Sequence, residues 1–145
     1  MKTYSFLDVN CGMIGPGLAV DLSTGAGLAQ EGISFAWNAD INTTTMGADG
    51  LGMQTLKADK SGTITVRVLK SSPLNQTLSA ALAFQRTSSS VHGQNTITLV
   101  DRNKGDNITA QNVAFQRPPN LDFGAEAQIV EWTFSAVTMD FALGS

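Results

Sequence analysis

Ala127-Gln128-Ile129-Val130-Glu131-Trp132-Thr133-Phe134-Ser135-Ala136 alternates with a period of two. Val130, Trp132, Phe134 and Ala136 fall to one side, and Glu131, Thr133 and Ser135 to the other. A helix would scatter these residues around its circumference. A strand sorts them into a buried face and a wet face, so a long strand is expected from Ala127 to about Phe141. Beyond Ala136 the alternation slips, which points to a bulge or twist. Ile33 to Ile41 repeats the pattern, with Ile33, Phe35, Trp37, Ala39 and Ile41 opposite Ser34, Ala36, Asn38 and Asp40.

Working outward from these two strands, Tyr4 to Val9 reads as a first strand. Glycines then punctuate the chain from Cys11 to Gly32 (Gly25-Ala26-Gly27 among them), with one short strand at Leu18 to Leu22. Asn42-Thr43-Thr44-Thr45-Met46-Gly47-Ala48-Asp49-Gly50-Leu51-Gly52 mixes β-branched residues with glycines and has no apolar period. It is expected to be a long exposed loop or a mobile hairpin. Met53 to Ala58 and Thr63 to Lys70 read as two strands of one hairpin, joined at Asp59-Lys60-Ser61-Gly62, with Ile64, Val66 and Val68 inward and Thr63, Thr65 and Arg67 outward. The single helix follows, with Ser72 as N-cap, Pro73 at the first helical position, and Leu74, Leu78, Ala81, Leu82 and Gln85 on one side. Phe84 extends that apolar face. Strands at Thr96 to Asp101 and Asn107 to Phe115 flank the turn Arg102 to Asp106, and Pro118-Pro119 ends the second of them. About eight strands and one helix make a mainly β chain of α+β character. The expectation is an antiparallel β-sandwich or barrel with the helix packed outside, in one domain over residues 1–145.

The composition narrows the function. The chain has 145 residues, 42% hydrophobic, 14% charged, with a formal net charge of −3. Its nine Lys and Arg are scattered, so stable gripping of phosphates is not expected. One cysteine, Cys11, cannot form an internal disulfide, and one histidine, His92, cannot build a typical zinc site. Gly25-Ala26-Gly27 and Gly12-Met13-Ile14-Gly15 are not phosphate-binding loops, since neither is a full GxGxxG between strand and helix and no Walker lysine follows. Asp122 with Glu126, and Glu131 with Asp140, are chance pairings among twelve acids rather than an acid and base. Asp101 and Asp106 flank a turn without the ligand rhythm of a calcium loop and are read as solvated carboxylates. Cys11 reads as a small buried hydrophobe, and His92 as a loop residue without Ser or Asp partners. Asn107-Ile108-Thr109 matches a glycosylation sequon, but without a secretory leader it reads as strand. Trp37 and Trp132 both lie on apolar strand faces and are expected in the core, which disfavours a carbohydrate-binding sandwich; a small hydrolase lacks a convergent polar site. No cofactor, metal or catalytic residue is expected. Neither a targeting leader nor an apolar run near the roughly 20 residues of a membrane span is seen, so a soluble cytoplasmic product is expected.

The order of elements adds a resemblance. Two early strands, a strand with a Trp, a long Gly/Thr loop, a hairpin, one capped helix and the terminal strand Ala127 to Ala136, together with the aromatic opening Thr3-Tyr4-Ser5-Phe6, resemble the tail tube proteins of contractile-tailed bacteriophages over essentially the whole chain. The resemblance implies hexameric rings stacked into a hollow tube that conducts the genome, with about four strands per subunit in a continuous inner barrel and the helix outside. Such a barrel of about 24 strands has a backbone diameter near 48 Å and a bore of about 40 Å, wide enough for duplex DNA. Six copies of −3 give −18 per ring, a wall that repels phosphate. The implied partners are further copies of the chain, tail sheath and baseplate proteins, and a tape-measure protein and transiting DNA that pass through the lumen unbound. The setting is the virion tail, assembled in the host cytoplasm without membrane insertion. Asn42 to Gly52 becomes the inter-ring stacking loop, and Ser34, Asn38, Asp40, Glu131, Thr133 and Ser135 become lumen-facing candidates. A single-ring tail terminator or connector, or a tube subunit of a type VI or bacteriocin-like apparatus, shares the architecture and is the alternative.

Overall fold

The computed structural model describes residues 3–22, 28–126 and 128–144; Gly25-Ala26-Gly27 and Ala127 lie outside the described residues. In chain order the elements are β1 (Val9–Gly15), β2 (Leu18–Asp21), β3 (Leu28–Trp37), β4 (Asn42–Met46), β5 (Gly52–Leu56), β6 (Gly62–Leu69), α1 (Leu74–Gln85), β7 (Asn95–Asp101), β8 (Asn107–Arg117) and β9 (Ile129–Ala142). Seven strands form one antiparallel sheet in the order β2-β1-β7-β8-β9-β6-β3, and β4 and β5 form a separate two-stranded hairpin. The mainly β, antiparallel, one-helix architecture expected from the sequence is the one found.

β9 organises the sheet. Its first half pairs with β6 from Leu69↔Ile129 to Gly62↔Ala136, while β8 pairs with it from Arg117↔Thr133 to Asn107↔Ala142. Val130, Trp132, Phe134 and Ala136 are buried as their alternation requires, and Phe134 is wedged against Phe115 at a ring-centroid distance of 4.9 Å. Past Ala136 the next buried residue is Met139, an odd interval. The same level of β8 holds Asn112 at φ 53°, and the β7–β8 register shifts there. This is the expected slip, and it re-aims the second half of both strands. Ile64, Val66 and Val68 of β6 are fully buried between β3 and β9, each contributing roughly 1.5–3 kcal/mol through removal of apolar surface from water.

Three expectations about strands are corrected. Tyr4 to Val9 is not a strand. Asp8 N–H donates to the Ser5 carbonyl and Leu7 N–H to the Ser5 hydroxyl, closing a short 3-10 turn over Phe6–Asp8 that leaves Leu7 exposed. The strand starts at Val9 and runs through Cys11 and Gly12, ending at a turn in which Pro16 is followed by Gly17 at φ 71°, the order a type II turn demands. Met53 to Ala58 and Thr63 to Lys70 are not partners. β5 turns back on β4, and β6 goes to β3 and β9, because four inward positions of β6 (Gly62, Ile64, Val66 and Val68) need cover that the wholly exposed β5 does not supply. The strand expected at Ile33 to Ile41 begins earlier, at Leu28, and ends at Trp37, so Asp40 and Ile41 belong to a connection.

The helix starts as expected: Ser72 Oγ accepts from Leu74 N–H at 3.2 Å, and Pro73 already has helical dihedrals (φ −66°, ψ −15°). Leu74, Leu78 and Ala81 press onto the sheet, but Phe84 is half exposed beside Gly17 rather than part of the buried stripe. At the C-terminal end Gln85 and Asn95 are both buried and exchange side-chain hydrogen bonds. Asn95 Nδ2 donates to Gln85 Oε1 (2.7 Å) and to the Val113 carbonyl (2.9 Å), and Gln85 Nε2 donates to Asn95 Oδ1 (2.8 Å). This closed amide pair fastens α1 to β7 and β8, and each side-chain amide atom of the pair has a partner. At the other end Trp132 is buried, and its Nε1 donates to Asn75 Oδ1 at 3.0 Å.

Candidate assembly surfaces

The face of the sheet turned away from α1 is polar and small. Register places Ser34 beside Thr65, and Thr65 beside Thr133; Ala36, Thr63, Ser135 and Ala114 form the next row. Hydroxyls and amides link across the strands: Thr63 Oγ1 donates to Asn38 Oδ1 (3.1 Å), and Ser135 Oγ to Gln116 Oε1 (3.2 Å). Two charges of this patch compensate each other, while Arg117, across from Thr133 in register, stands exposed beside them. Arg67 Nε lies 3.4 Å from Glu131 Oε2, and Arg67 Nη1 donates to Ser34 Oγ at 3.1 Å. Ser34, Glu131, Thr133 and Ser135 are therefore brought together on one face, with Asn38 at its rim. Asp40, which alternation put on the same face, sits in the connection after β3 instead, because the strand has already ended. Thr63, Thr65, Arg67, Gln116 and Arg117 complete the patch. Alternation already turned Thr63, Thr65 and Arg67 outward; only the register shows that they lie beside Ser34 and Glu131.

The stretch Asn42 to Gly52 is a built element rather than a loop. It supplies β4, a turn over 47–51 and the first residue of β5. Asn42 Nδ2 and Thr44 Oγ1 both donate to Gln54 Oε1, Gly47 N–H donates to the Leu51 carbonyl, and Asp49 Oδ1 accepts from Leu51 N–H. Every residue of β4 and β5 is exposed, and Met46, Leu51 and Met53 at the tip present apolar side chains to solvent. At its base Trp37, expected in the core, is 39% exposed, with Nε1 donating to the Met139 carbonyl and its ring edge-on to Phe141 at 5.1 Å. The position is apolar by pattern, but it is the last residue of an edge strand.

A second uncovered region escaped sequence reading. The strap 118–126 between β8 and β9 has no regular structure and exposes Leu121 and Phe123, with Ile129 opening the strand beyond it. Lys70 secures it, with Nζ 3.5 Å above the Phe123 ring centroid and donating to the Asp122 carbonyl. The only sequence signal was a pair of large apolar residues, Leu121 and Phe123, in a segment without period.

Groups weighed for chemistry do not converge. Cys11 is buried, and burial, with a smaller effect from Asp21, pushes its thiol up to about 12, as fits a packing residue. His92 is exposed in the turn after α1. Glu131 pairs with Arg67, and Asp140 with Lys60 at 3.1 Å, so these two acids serve separate ion pairs. Asp101, expected as a solvated turn carboxylate, is buried; its Oδ1 accepts from Asn103 and Lys104 N–H and shapes the β7–β8 turn. Asn107 begins β8. Among the described residues no three His, Cys, Asp or Glu side chains gather as a metal site, and no helix is long and apolar enough to cross a membrane.

One antiparallel sheet with a polar face, two open edge strands and a separate exposed hairpin fits the class of tube-forming β subunits. The chain matches the family of the bacteriophage PhiTE tail tube protein over residues 1–144 and belongs to it. It is a phage tail tube subunit, a component of the virion tail. Solved structures of the same fold include the tail of an empty gene transfer agent particle refined with C6 symmetry (TM-score 0.60, 13% identity, 99% of this chain and 100% of that one). The sheath–tube complex of an extracellular contractile injection system is similar at TM-score 0.53 and 11% identity, over 92% of this chain and 88% of that one. A sheath/tube terminator of that system scores 0.53 at 12% identity, covering 92% of each chain. No curated protein matches the chain.

Proposed function

We propose that six copies close into a ring, that rings stack into a tube inside a contractile sheath, and that the polar sheet face lines a lumen through which DNA and a tape-measure protein pass. The observation that carries this reading is the hydroxyl-rich face of Ser34, Thr63, Thr65, Thr133 and Ser135, on which Arg67 and Glu131 pair. A duplex moving past hydroxyls and a closed Arg67–Glu131 pair meets Arg117 as the patch's cation outside that pair, too little positive charge for a strong hold on its phosphates. The six-fold symmetry of the similar gene transfer agent tail, and the sheath around the similar injection-system tube, support the ring number and the sheath partner. On this reading the chain's work is mechanical, with no bond made or broken. The hairpin β4–β5, about 17 Å long by its five residue pairs, is the element that reaches an adjacent ring.

The test is negative-stain electron microscopy across a concentration series, with light scattering on the eluted species. Six-fold rings and hollow tubes are the expected result. A chain that stays monomeric at high concentration and fails to join seeded tail baseplates would overturn the conduit reading.

A further inference from the structure

The base of the hairpin and the end of the strap lie at opposite ends of β6. The hairpin leaves the sheet just after Trp37, which pairs with Gly62 at one end of that strand. Ile129, where the strap rejoins the sheet, pairs with Leu69 at the other end. Seven residue steps separate the two levels, about 24 Å. Between the strap and α1 runs a mostly apolar groove of about 380 Å³, walled by Leu82, Pro118, Pro119, Leu121 and Trp132, with Lys70 as its one charged lining residue. The hairpin offers the complement: Met46, Leu51 and Met53 are uncovered at its tip, and Asp49 between them is the one charged residue in Asn42 to Leu56. Methionine suits such a plug, since its unbranched side chain adapts to an irregular groove.

Resting on the tube reading above, we propose that the hairpin tip of one subunit seats in the strap groove of a second copy in the next ring, with Leu51 and one methionine against Leu121 and Pro119, the other methionine, on the opposite face of the hairpin, toward the Leu82 wall, and Asp49 facing Lys70. Donor and acceptor at opposite ends of one strand make the contact heterologous. It therefore propagates instead of closing on a two-fold pair, which is what an indefinitely stacked tube requires. The groove end of the last ring stays open for a different protein, and the hairpin end of the first ring does likewise.

The experiment uses two single substitutions at exposed positions, Leu51→Asp on the hairpin and Leu121→Asp on the strap, purified separately and compared with the wild-type chain by electron microscopy and light scattering. Each variant is expected to stop at single rings, because each lacks one half of the contact. Mixing the two kinds of ring then has a specific outcome: an intact hairpin on the Leu121→Asp ring meets an intact groove on the Leu51→Asp ring. Two-ring particles of twice the ring mass form, and nothing longer. Leu121→Asp rings that stack into tubes like the wild type would overturn this docking while leaving the conduit reading intact. So would a mixture that stays at single rings. A wild-type chain that forms neither rings nor tubes would instead bring down the tube reading and this contact with it.

Discussion

Gly15 and Asn95 give the most exacting test of how this fold is fastened. A Cβ added at Gly15 would lie 1.8 Å from Asn95 Oδ1 and 2.8 Å from its Cγ, so Gly15→Ala forces the buried amide out of its pairing with Gln85. Overpacking together with the broken amide pair is expected to cost about 3 kcal/mol. Asn95→Ala removes three hydrogen bonds and strands the Val113 carbonyl and part of the Gln85 amide, a loss of about 3–5 kcal/mol. The two losses do not add. With Asn95 cut back to alanine, the two closest atoms are gone and the next, the residue-95 Cα, lies at 3.2 Å, so the new methyl at Gly15 should add less than about 1 kcal/mol, which leaves a coupling of about 2 kcal/mol. Urea unfolding of the unassembled subunit, followed by the fluorescence of buried Trp132, measures all four corners of the cycle. Losses that add to within about 0.5 kcal/mol would refute the claim that Gly15 is required by the closeness of the Asn95 amide.

Three other outcomes follow from named groups. The Cys11 thiol should resist a soluble disulfide reagent at pH 8 until the chain unfolds. Because its folded value is raised from 9.0 to about 12, its contribution to stability is intact below pH 9 and declines through that window as pH rises, by about 1.4 kcal/mol per unit, measurable as a falling urea midpoint. Glu131→Gln leaves Arg67 without its carboxylate on the proposed lumen wall; assembled tubes should then retain duplex DNA in a salt-dependent way that wild-type tubes do not, as read by co-sedimentation. Asn112, at φ 53°, should accept Gly without loss of stability, whereas Asn112→Val should cost about 1–2 kcal/mol in the same unfolding assay, since a β-branched residue is strained in the left-handed region.

Much of this architecture was legible residue by residue. The faces of β6 and β9, the Ser72-Pro73 start of α1 and the slip after Ala136 follow from local rules, because side-chain direction along a strand and the capping of a helix involve only neighbours in the chain. Composition likewise disfavoured phosphate-gripping and metal chemistry, and the terminal strand carried the resemblance to tail tubes that the family match over residues 1–144 bears out. What the tertiary structure alone decided is who pairs with whom. β6 passes over β5 to join β3 and β9, and five of the six polar residues read from two distant strands meet on one patch while Asp40 does not. Trp37 lies half exposed at the end of an edge strand, and Asp101 is buried in its turn. Alternation states which side a residue faces. It is silent on what covers that side, because the covering strand or helix comes from tens of residues away, and pairing energy is set by the neighbour supplied across the sheet.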